Sequence, residues 1–149
     1  MVTIMSNNTI LPNTQESHGH SNIRVLLVDD HAMMRQSLRN MIEEDCDYIE
    51  VVGEASNGLE AIHAVPVSKP DVVVMDINMP VMNGIEATKR IKADFPKTAI
   101  IGLSVQTEKE IIQKIRNVGA SSYLTKGSSI DVLCQAIQEA ASLHGWSRV

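Results

Sequence analysis

The stretch that decides the fold runs from Asp71 to Gly84 and reads DVVVMDINMPVMNG. It begins with β-branched and other apolar residues, which are typical of a strand buried on both faces of a parallel sheet. Asp76 follows directly. Because an unpaired carboxylate is costly inside a sheet, we expect the strand to end there and to present Asp76 at its carboxyl edge. Met79-Pro80 and Asn83-Gly84 then predict a loop before the next helix. Open α/β sheets bind their ligands at this edge, so we predict a functional site around Asp76.

The composition indicates one globular domain. The chain has 149 residues, enough for a single domain with its own hydrophobic core. Aromatic residues make up 3% of the sequence, so Val, Ile, Leu, Met and Ala should fill that core. The formal net charge of −5 argues against a general electrostatic footprint for nucleic acid, and we expect no direct binding to it. There is no apolar run of spanning length and no signal-peptide pattern, which predicts no membrane contact and a cytoplasmic location.

The ends of the sequence and its cysteines give weaker signals. Residues 1–22 are rich in Asn, Ser and Thr without sustained periodicity, and they predict a disordered N-terminal tail. We expect the folded domain to span residues 23–145 and residues 146–149 to form a C-terminal tail. Cys46 and Cys134 match no metal-binding spacing, so we expect small, buried or half-buried free thiols of a reducing compartment.

Apolar periodicity predicts five strands that alternate with five helices. Strands are predicted over residues 23–28, 49–55, 71–76, 98–103 and 121–125, and helices over about 31–44, from 59 onward, 84–94, 107–118 and from a cap at 128 or 129. Pro66 should stop or kink the second helix near Val65 and so shorten it, with Leu59 and Ile62 buried before it. The alternation predicts an α/β fold: a doubly wound, flavodoxin-like parallel sheet in the order 2-1-3-4-5.

That strand order brings several polar residues to one edge of the sheet. Its switch point lies between the first and third strands, which places Asp29, Asp30 and Asp76 in one crevice. Ser104 and Lys126 end the fourth and fifth strands and line the same edge. Three converging carboxylates repel one another and therefore predict a divalent cation. All-oxygen ligation without a nearby thiolate favours Mg²⁺ over zinc.

The same residues are suited to a phosphoryl group. A metal and Lys126 can neutralise its oxygens, Ser104 can donate a hydrogen bond, and Asp76 can attack in line as the nucleophile. No residue is an obvious base for activating water, so an acyl phosphate formed on Asp76 would not be discharged quickly. This favours a switch over a turnover enzyme, and we expect no enzymatic activity beyond the chain's own phosphorylation and dephosphorylation.

From about residue 23 to residue 143 the chain resembles the response-regulator receiver domains of two-component signalling, in the CheY-like superfamily. Four motifs carry the resemblance by their order and spacing: Val28-Asp-Asp-His31, Asp76-Ile-Asn-Met-Pro-Val-Met-Asn-Gly84, Leu103-Ser104 and Gly119-Ala-Ser-Ser-Tyr-Leu-Thr-Lys126. The Asp-Asp-His opening and the Tyr-Leu-Thr-Lys-Gly ending favour the NarL/FixJ-type subfamily.

The resemblance implies a role for each site residue. It makes Asp76 the phosphoacceptor and a metal ligand, and it makes Asp29, Asp30 and the backbone carbonyl of Asn78 the other ligands of Mg²⁺. It further implies that Ser104 and Tyr123 are the switch residues and that Lys126 pairs with the phosphate. His31, which follows the acid pair, is expected to be structural or solvent-facing.

The resemblance also implies partners. A histidine kinase or a phosphotransfer domain would donate the phosphoryl group, and an output domain or partner protein would respond to it. A homodimer formed on phosphorylation is compatible with the fold, and no sequence feature decides it.

Three residues depart from the family pattern, and one of them is Pro66, with the shortened second helix described above. Val105 stands where the family usually has Ala or Gly, which predicts tighter access to the phosphate. Gly127 stands where many members have a proline after a cis bond; since a cis bond to glycine costs about 2.5–4 kcal/mol, the geometry of that peptide is left open.

Two other functions use similar residues. A flavodoxin-like cobalamin-binding module would use the Asp-x-His spacing that ends at His31, but Met34 stands where such a module has glycine. A phospho-aspartate phosphatase or phosphotransferase would need a second aspartate two residues after Asp76 as its acid and base, and Asn78 stands there.

Overall fold

Five parallel strands form the centre of the structure, a computed structural model that describes residues 21–105 and 108–147. Their order across the sheet is β2-β1-β3-β4-β5, so the predicted α/β class and strand order are confirmed. The strands are β1 (Ile23–Val28), β2 (Ile49–Ala55), β3 (Val72–Asp76), β4 (Ala99–Ser104) and β5 (Ser122–Thr125).

Five helices connect and flank the strands. They are α1 (Ala32–Asp45), α2 (Gly58–Ser68), α3 (Gly84–Asp94), α4 (Lys109–Asn117) and α5 (Ile130–Ser142). Helix α4 was predicted to begin at Thr107, which lies outside the described residues. None of the helices in the described ranges is both long and apolar enough to cross a membrane.

The sheet has a separate hydrophobic core on each face, because successive side chains of a strand point to opposite sides. On one face Val25 and Leu27 of β1 pack in a cluster with residues of α1 and α5. On the other face Leu26 and Val28 pack in a cluster with residues of α2 and α3. The near-continuous apolar runs in the strands thus serve two cores, which is why alternation of polar and apolar residues is absent from them.

The register of the strands aligns their carboxyl ends. Val28 lies opposite Met75, Asp76 lies opposite Leu103, and Ser104 lies opposite Thr125. The residues that follow these positions therefore leave the sheet at a common edge, where the polar residues of the sequence are brought together.

Side-chain caps mark where α2, α3 and α5 begin, whereas α1 and α4 begin without a hydrogen bond from the side chain of the capping residue. The carboxamide oxygen of Asn57 accepts a hydrogen bond from the Glu60 amide, and that of Asn83 accepts one from the Glu86 amide, each at 2.9 Å. Ser129 caps α5 in the same way. These bonds satisfy amide groups that have no partner within a helix, so the loop-to-helix transitions follow from local sequence.

The prediction that Pro66 shortens the second helix is wrong. Helix α2 continues through Pro66 to Ser68, since a proline so near the end removes only one backbone hydrogen bond. The Lys69 amide then closes the helix by donating to the Val65 carbonyl at 2.9 Å. Leu59 was expected to be buried but is 40% exposed, because Gly58, Ala61 and Val65 form the buried face instead.

The prediction of two free thiols is also wrong. Cys46 and Cys134 form a disulfide, with their Cα atoms 5.6 Å apart. Cys46 ends α1 and Cys134 lies in α5, and the two helices pack on the same face of the sheet. Their separation of 88 residues in sequence hides a proximity that only the fold creates.

Candidate functional site

Two buried carboxylates lie at the carboxyl edge of the two central strands. Asp29 follows β1 and is 2% exposed, and Asp76 ends β3 and is 3% exposed. The Asp29 amide donates to the Ala55 carbonyl at 3.1 Å, which extends the β1–β2 pairing by one step and holds the acid at the edge of the sheet. Buried acids require compensation by a charge or by hydrogen bonds.

Lys126 provides the compensating charge. Its Nζ lies 2.8 Å from Asp29 Oδ2 and 3.4 Å from Asp76 Oδ2, and its side chain is 12% exposed. Its backbone amide donates to the Ser104 carbonyl at 2.9 Å, so the β4–β5 pairing positions the residue. One ammonium group therefore bridges two carboxylates that come from two different strands.

The charges at the site shift two pKa values. Burial first, and the negative charge of Asp29 second, raise the pKa of Asp76 from 3.8 to about 6, against the opposing effects of Lys126 and the Asn78 amide. Burial lowers the pKa of Lys126, but its hydrogen bond to Asp29 and the charges of Asp76 and Asp29 outweigh burial and raise it. Lys126 therefore keeps its positive charge. Asp76 takes up a proton at a higher pH than an ordinary aspartate does, because its pKa is raised.

Asp30 and His31 directly follow Asp29 and are more exposed to solvent than it is. The His31 amide donates to Asp29 Oδ1 at 2.8 Å, and its Nδ1 lies 3.3 Å from Asp29 Oδ1 and 3.2 Å from Asp30 Oδ1. The ring itself is largely exposed. His31 was predicted to be structural or solvent-facing. Its backbone amide is structural, since it orients Asp29, and its ring lies in solvent beside the acid pair.

The other predicted site residues lie on the neighbouring strands β4 and β5 and in the loop after β3. Ser104 is buried at the end of β4. Tyr123 lies in β5 opposite Gly102 and is half-buried. Asn78 is exposed, and its amide donates a hydrogen bond to the Asp76 carboxylate.

Two of the departures from the family pattern, Val105 and Gly127, directly follow site residues. Val105 is 75% exposed, so its side chain extends mostly into solvent. The Lys126–Gly127 peptide is trans, like every other peptide in the described ranges. The geometry of the peptide before Gly127, which the sequence left open, is therefore trans in the structure.

Arg35 contacts the site although sequence analysis assigned it no role. Its Nη1 donates to the Asp29 carbonyl oxygen at 2.5 Å, and its Nε donates to Glu54 Oε1 at 2.9 Å. The guanidinium thereby ties the backbone of an acid at the site to a carboxylate on β2. The available signal was its position in α1, one helical turn after His31, which directs its side chain back toward the acid pair.

The turn after Asp76 is closely packed against its backbone. The Gly84 amide donates to the Ile77 carbonyl at 2.8 Å. A Cβ atom at Gly84 would overlap the carbonyl oxygen of Asp76 and would lie 2.9 Å from Ile77 Cα. Only glycine fits there, so the start of α3 holds the end of β3 in place.

The donor set of the site fits Mg²⁺. Ligand atoms of Asp29, Asp30 and His31 all lie within 4.8 Å of one another. Asp30 Oδ1 is buried and accepts no hydrogen bond within the described part of the chain, although His31 Nδ1 lies 3.2 Å from it, so this oxygen is a candidate ligand for a cation. Carboxylate oxygens are the ligands that Mg²⁺ prefers, and a cation there would also relieve the repulsion between Asp29 and Asp76.

Comparison with known proteins identifies this arrangement. Residues 25–138 match the response regulator receiver domain family. The chain belongs to this family. A receiver domain is the phosphoacceptor module of a two-component system, and the acids and the lysine at the edge of the sheet lie within the residues matched to this family.

Curated relatives of this receiver domain support the assignment. It is 41% identical to the response regulator UvrY of Escherichia coli over 120 residues, which are 80% of this chain and 55% of UvrY. It is 37% identical to the response regulator GacA of Pseudomonas viridiflava over 116 residues, which are 78% of this chain and 54% of GacA. The receiver domain thus spans about half the length of the curated relatives it matches.

Solved structures agree with the fold. A LuxR-family two-component response regulator from an Aurantimonas species superposes with a TM-score of 0.76 at 36% identity, covering 82% of this chain and 86% of that one. The response regulator domain of Thermotoga maritima CheB superposes with a TM-score of 0.74 at 39% identity, covering 81% and 97%. The predicted NarL/FixJ-type subfamily is confirmed by these LuxR-type and UvrY-type relatives.

Proposed function

We propose that this receiver domain takes a phosphoryl group onto Asp76 from the phosphohistidine of a partner histidine kinase or phosphotransfer domain. The observation that carries this proposal is the position of Asp76. It is a buried carboxylate at the carboxyl edge of the central strand, 3.4 Å from the ammonium group of Lys126. A nucleophile beside a fixed cation suits the transfer of an anionic group.

The chemistry is one displacement at phosphorus. A carboxylate oxygen of Asp76 forms a bond to phosphorus while the bond from phosphorus to the donor's imidazole nitrogen breaks, and the electron pair of that bond stays on the imidazole. Lys126 then pairs with a phosphoryl oxygen in place of the Asp76 oxygen that it approaches in the unphosphorylated protein. Its bond to Asp29 keeps the ammonium group in position throughout.

Asp29, Asp30, Asp76 and the backbone carbonyl of Asn78 would hold Mg²⁺ in the reaction. When bound, the cation supplies positive charge against the phosphoryl oxygens. The raised pKa of Asp76 supports this part of the proposal, because a neutral carboxyl group is a poor nucleophile and a second cation beside it would favour the charged form.

The phosphorylated state would be read through Ser104 and Tyr123. In the proposed switch the Ser104 hydroxyl bonds to the phosphoryl group and the Tyr123 ring moves inward, shifting an existing equilibrium between two conformations. The change would reach an output domain or partner protein through α4, β5 and α5. We place this signalling in the cytoplasm and assign the chain no enzymatic activity beyond its own phosphorylation and dephosphorylation.

Intact mass tests the proposal directly. The protein is incubated with a small acyl phosphate, with Mg²⁺ or with a chelator, as wild type, Asp76→Asn and Asp71→Asn. Asp71 is the matched control because it lies just before the same strand, at the opposite edge of the sheet. We expect a gain of one phosphoryl group in wild type and Asp71→Asn with Mg²⁺ only, and none in Asp76→Asn.

Two results would contradict the assignment. A phosphoryl gain that survives in Asp76→Asn would place the acceptor elsewhere. No gain in folded wild type with Mg²⁺, repeated with a phosphorylated kinase domain as donor, would show that the site does not accept phosphate.

A further inference from the structure

The disulfide between Cys46 and Cys134 lies outside the phosphoacceptor site. Cys46 caps the C-terminal end of α1, with its amide donating to the Ile42 carbonyl at 3.0 Å, and Cys134 lies in the second turn of α5. Helix α1 has 14 residues and begins beside the acid pair, so Cys46 is roughly 20 Å along the helix from the site. Phosphorylation and the disulfide therefore use different ends of the same helix.

Other contacts hold α5 near the end of α1 without the disulfide. Gln138 Nε2 donates to the Asp47 carbonyl at 3.4 Å, and the rings of Tyr48 and Trp146 have centroids 6.1 Å apart. Trp146 Nε1 also donates to the Ser21 carbonyl at 2.8 Å. Because these contacts do not depend on the sulfur–sulfur bond, the two thiols would remain adjacent after reduction.

We propose that Cys46 and Cys134 form a reversible redox pair, open in a reducing cytoplasm and closed by a two-electron oxidant such as a hydroperoxide. A disulfide in a reducing compartment is usually transient, catalytic or redox-sensing rather than structural. The Cα separation of 5.6 Å falls in the range for a disulfide, so closure needs no movement of the backbone. These are the only two cysteines of the chain, so each has only the other as an intramolecular partner.

Closure can be written as a balanced reaction. The Cys134 thiolate, which belongs to the more exposed residue of the two, attacks one oxygen of the hydroperoxide, and the oxygen–oxygen bond breaks to give a sulfenic acid and water or an alcohol. The Cys46 thiol then attacks that sulfur and the second oxygen leaves as water. A dithiol reverses the change by thiol–disulfide exchange and is itself oxidised.

Closure would stabilise the fold without altering the chemistry at Asp76. Joining residues separated by 88 positions closes a long loop and so lowers the conformational entropy of the unfolded chain. The chain-entropy relation gives a decrease on the order of 10³-fold in the equilibrium constant of unfolding. The oxidation state would thus control how firmly α5 is fixed to α1, on the face of the sheet that these two helices share.

Thiol counting with hydrogen peroxide as the probe tests the pair. Reduced, native wild-type protein is treated with peroxide, quenched with an alkylating reagent under denaturing conditions and weighed intact, before and after addition of dithiothreitol. We expect two alkylated thiols in the reduced protein, none in a monomer lighter by two hydrogens after oxidation, and two again after dithiothreitol. Thiols that persist after peroxide, a disulfide-linked dimer, or a native-state bond that dithiothreitol cannot open would each overturn the proposal.

Urea unfolding of the same wild-type protein measures the consequence in both redox states. The oxidised form should show the lower unfolding constant by two to four powers of ten. Cys46→Ser and Cys134→Ser should each remove the redox dependence; equal unfolding constants of oxidised and reduced wild type would refute the stabilisation. Asp76→Asn should retain the full thiol response, because the disulfide lies far from Asp76. The thiol test therefore does not depend on whether Asp76 is the phosphoacceptor, and the two assignments can fail separately.

Discussion

Replacing Asp76 with Asn should make the metal-free protein more stable at neutral and alkaline pH. The carboxylate is buried beside Asp29, and its pKa is raised from 3.8 to about 6 in the folded protein. Burial of the charged form therefore opposes folding. Asparagine has nearly the same shape as the protonated acid and carries no charge, so it avoids this cost.

The magnitude follows from the shift in pKa. A shift of about two units corresponds to roughly 3 kcal/mol between the charged and neutral forms. Because the folded pKa is the higher one, the stabilising contribution of the protonated acid is complete below about pH 4 and is lost as the pH rises through about 6. The stability gained by Asp76→Asn should therefore be small near pH 4 and reach about 3 kcal/mol above pH 7.

The assay is urea unfolding in the presence of a chelator, at several values of pH, on wild type, Asp76→Asn and the exposed-acid control Asp71→Asn. Only Asp76→Asn should show a gain that grows with pH, and added Mg²⁺ should reduce that gain by stabilising wild type alone. If Asp76→Asn is less stable than wild type at about pH 8, or if its gain does not change with pH, then the electrostatic account of the site is wrong.

Four further substitutions, of which Gly127→Ala is a control, test the support around the site by urea unfolding. Gly84→Ala should lower the free energy of unfolding by about 3 kcal/mol or more, since the added Cβ has no room. Gly127→Ala should change it little, because no atom lies within 4 Å of the added Cβ. Similar effects of the two substitutions would contradict the packing described. Val81→Asn should raise stability by about 1 kcal/mol, because Val81 has φ of 68° and asparagine tolerates that region better; a loss would show that the loop is unstrained. Arg35→Gln should cost about 1–3 kcal/mol by removing a charge-assisted hydrogen bond to the Asp29 carbonyl, and an unchanged unfolding curve would show that the bond contributes nothing.

The fold was predictable because each strand is marked by its own residues. The run before Asp76 is too apolar for an edge strand, and the acid at its end marks the edge of the sheet. The starts of α2 and α3 were equally local, since Asn57 and Asn83 cap these two helices. Periodicity alone did not predict which face of helix α2 the sheet covers, and for this reason Leu59 was wrongly expected to be buried.

The meeting of Asp29, Asp76 and Lys126 was also predictable, because parallel strands bring their carboxyl ends together. Two contacts were not. The role of Arg35 depends on the conformation of a long side chain, and the pairing of Cys46 with Cys134 depends on how α5 packs beside α1. Pairwise proximity of this kind arises from tertiary packing and leaves no periodic trace in a single sequence.

The bond between Lys126 and Asp29 joins residues 97 positions apart, and it has a consequence for the order of synthesis. A growing chain that has emerged only as far as β4 carries Asp29 and Asp76 but lacks Lys126, the cation that compensates them. Strand β5 pairs only with β4 at the border of the sheet, and it is the last strand of this sheet to be synthesised. An incomplete chain therefore contains the buried acids but not their countercharge, and under the function proposed above it would become competent for phosphoryl transfer only once β5 has formed.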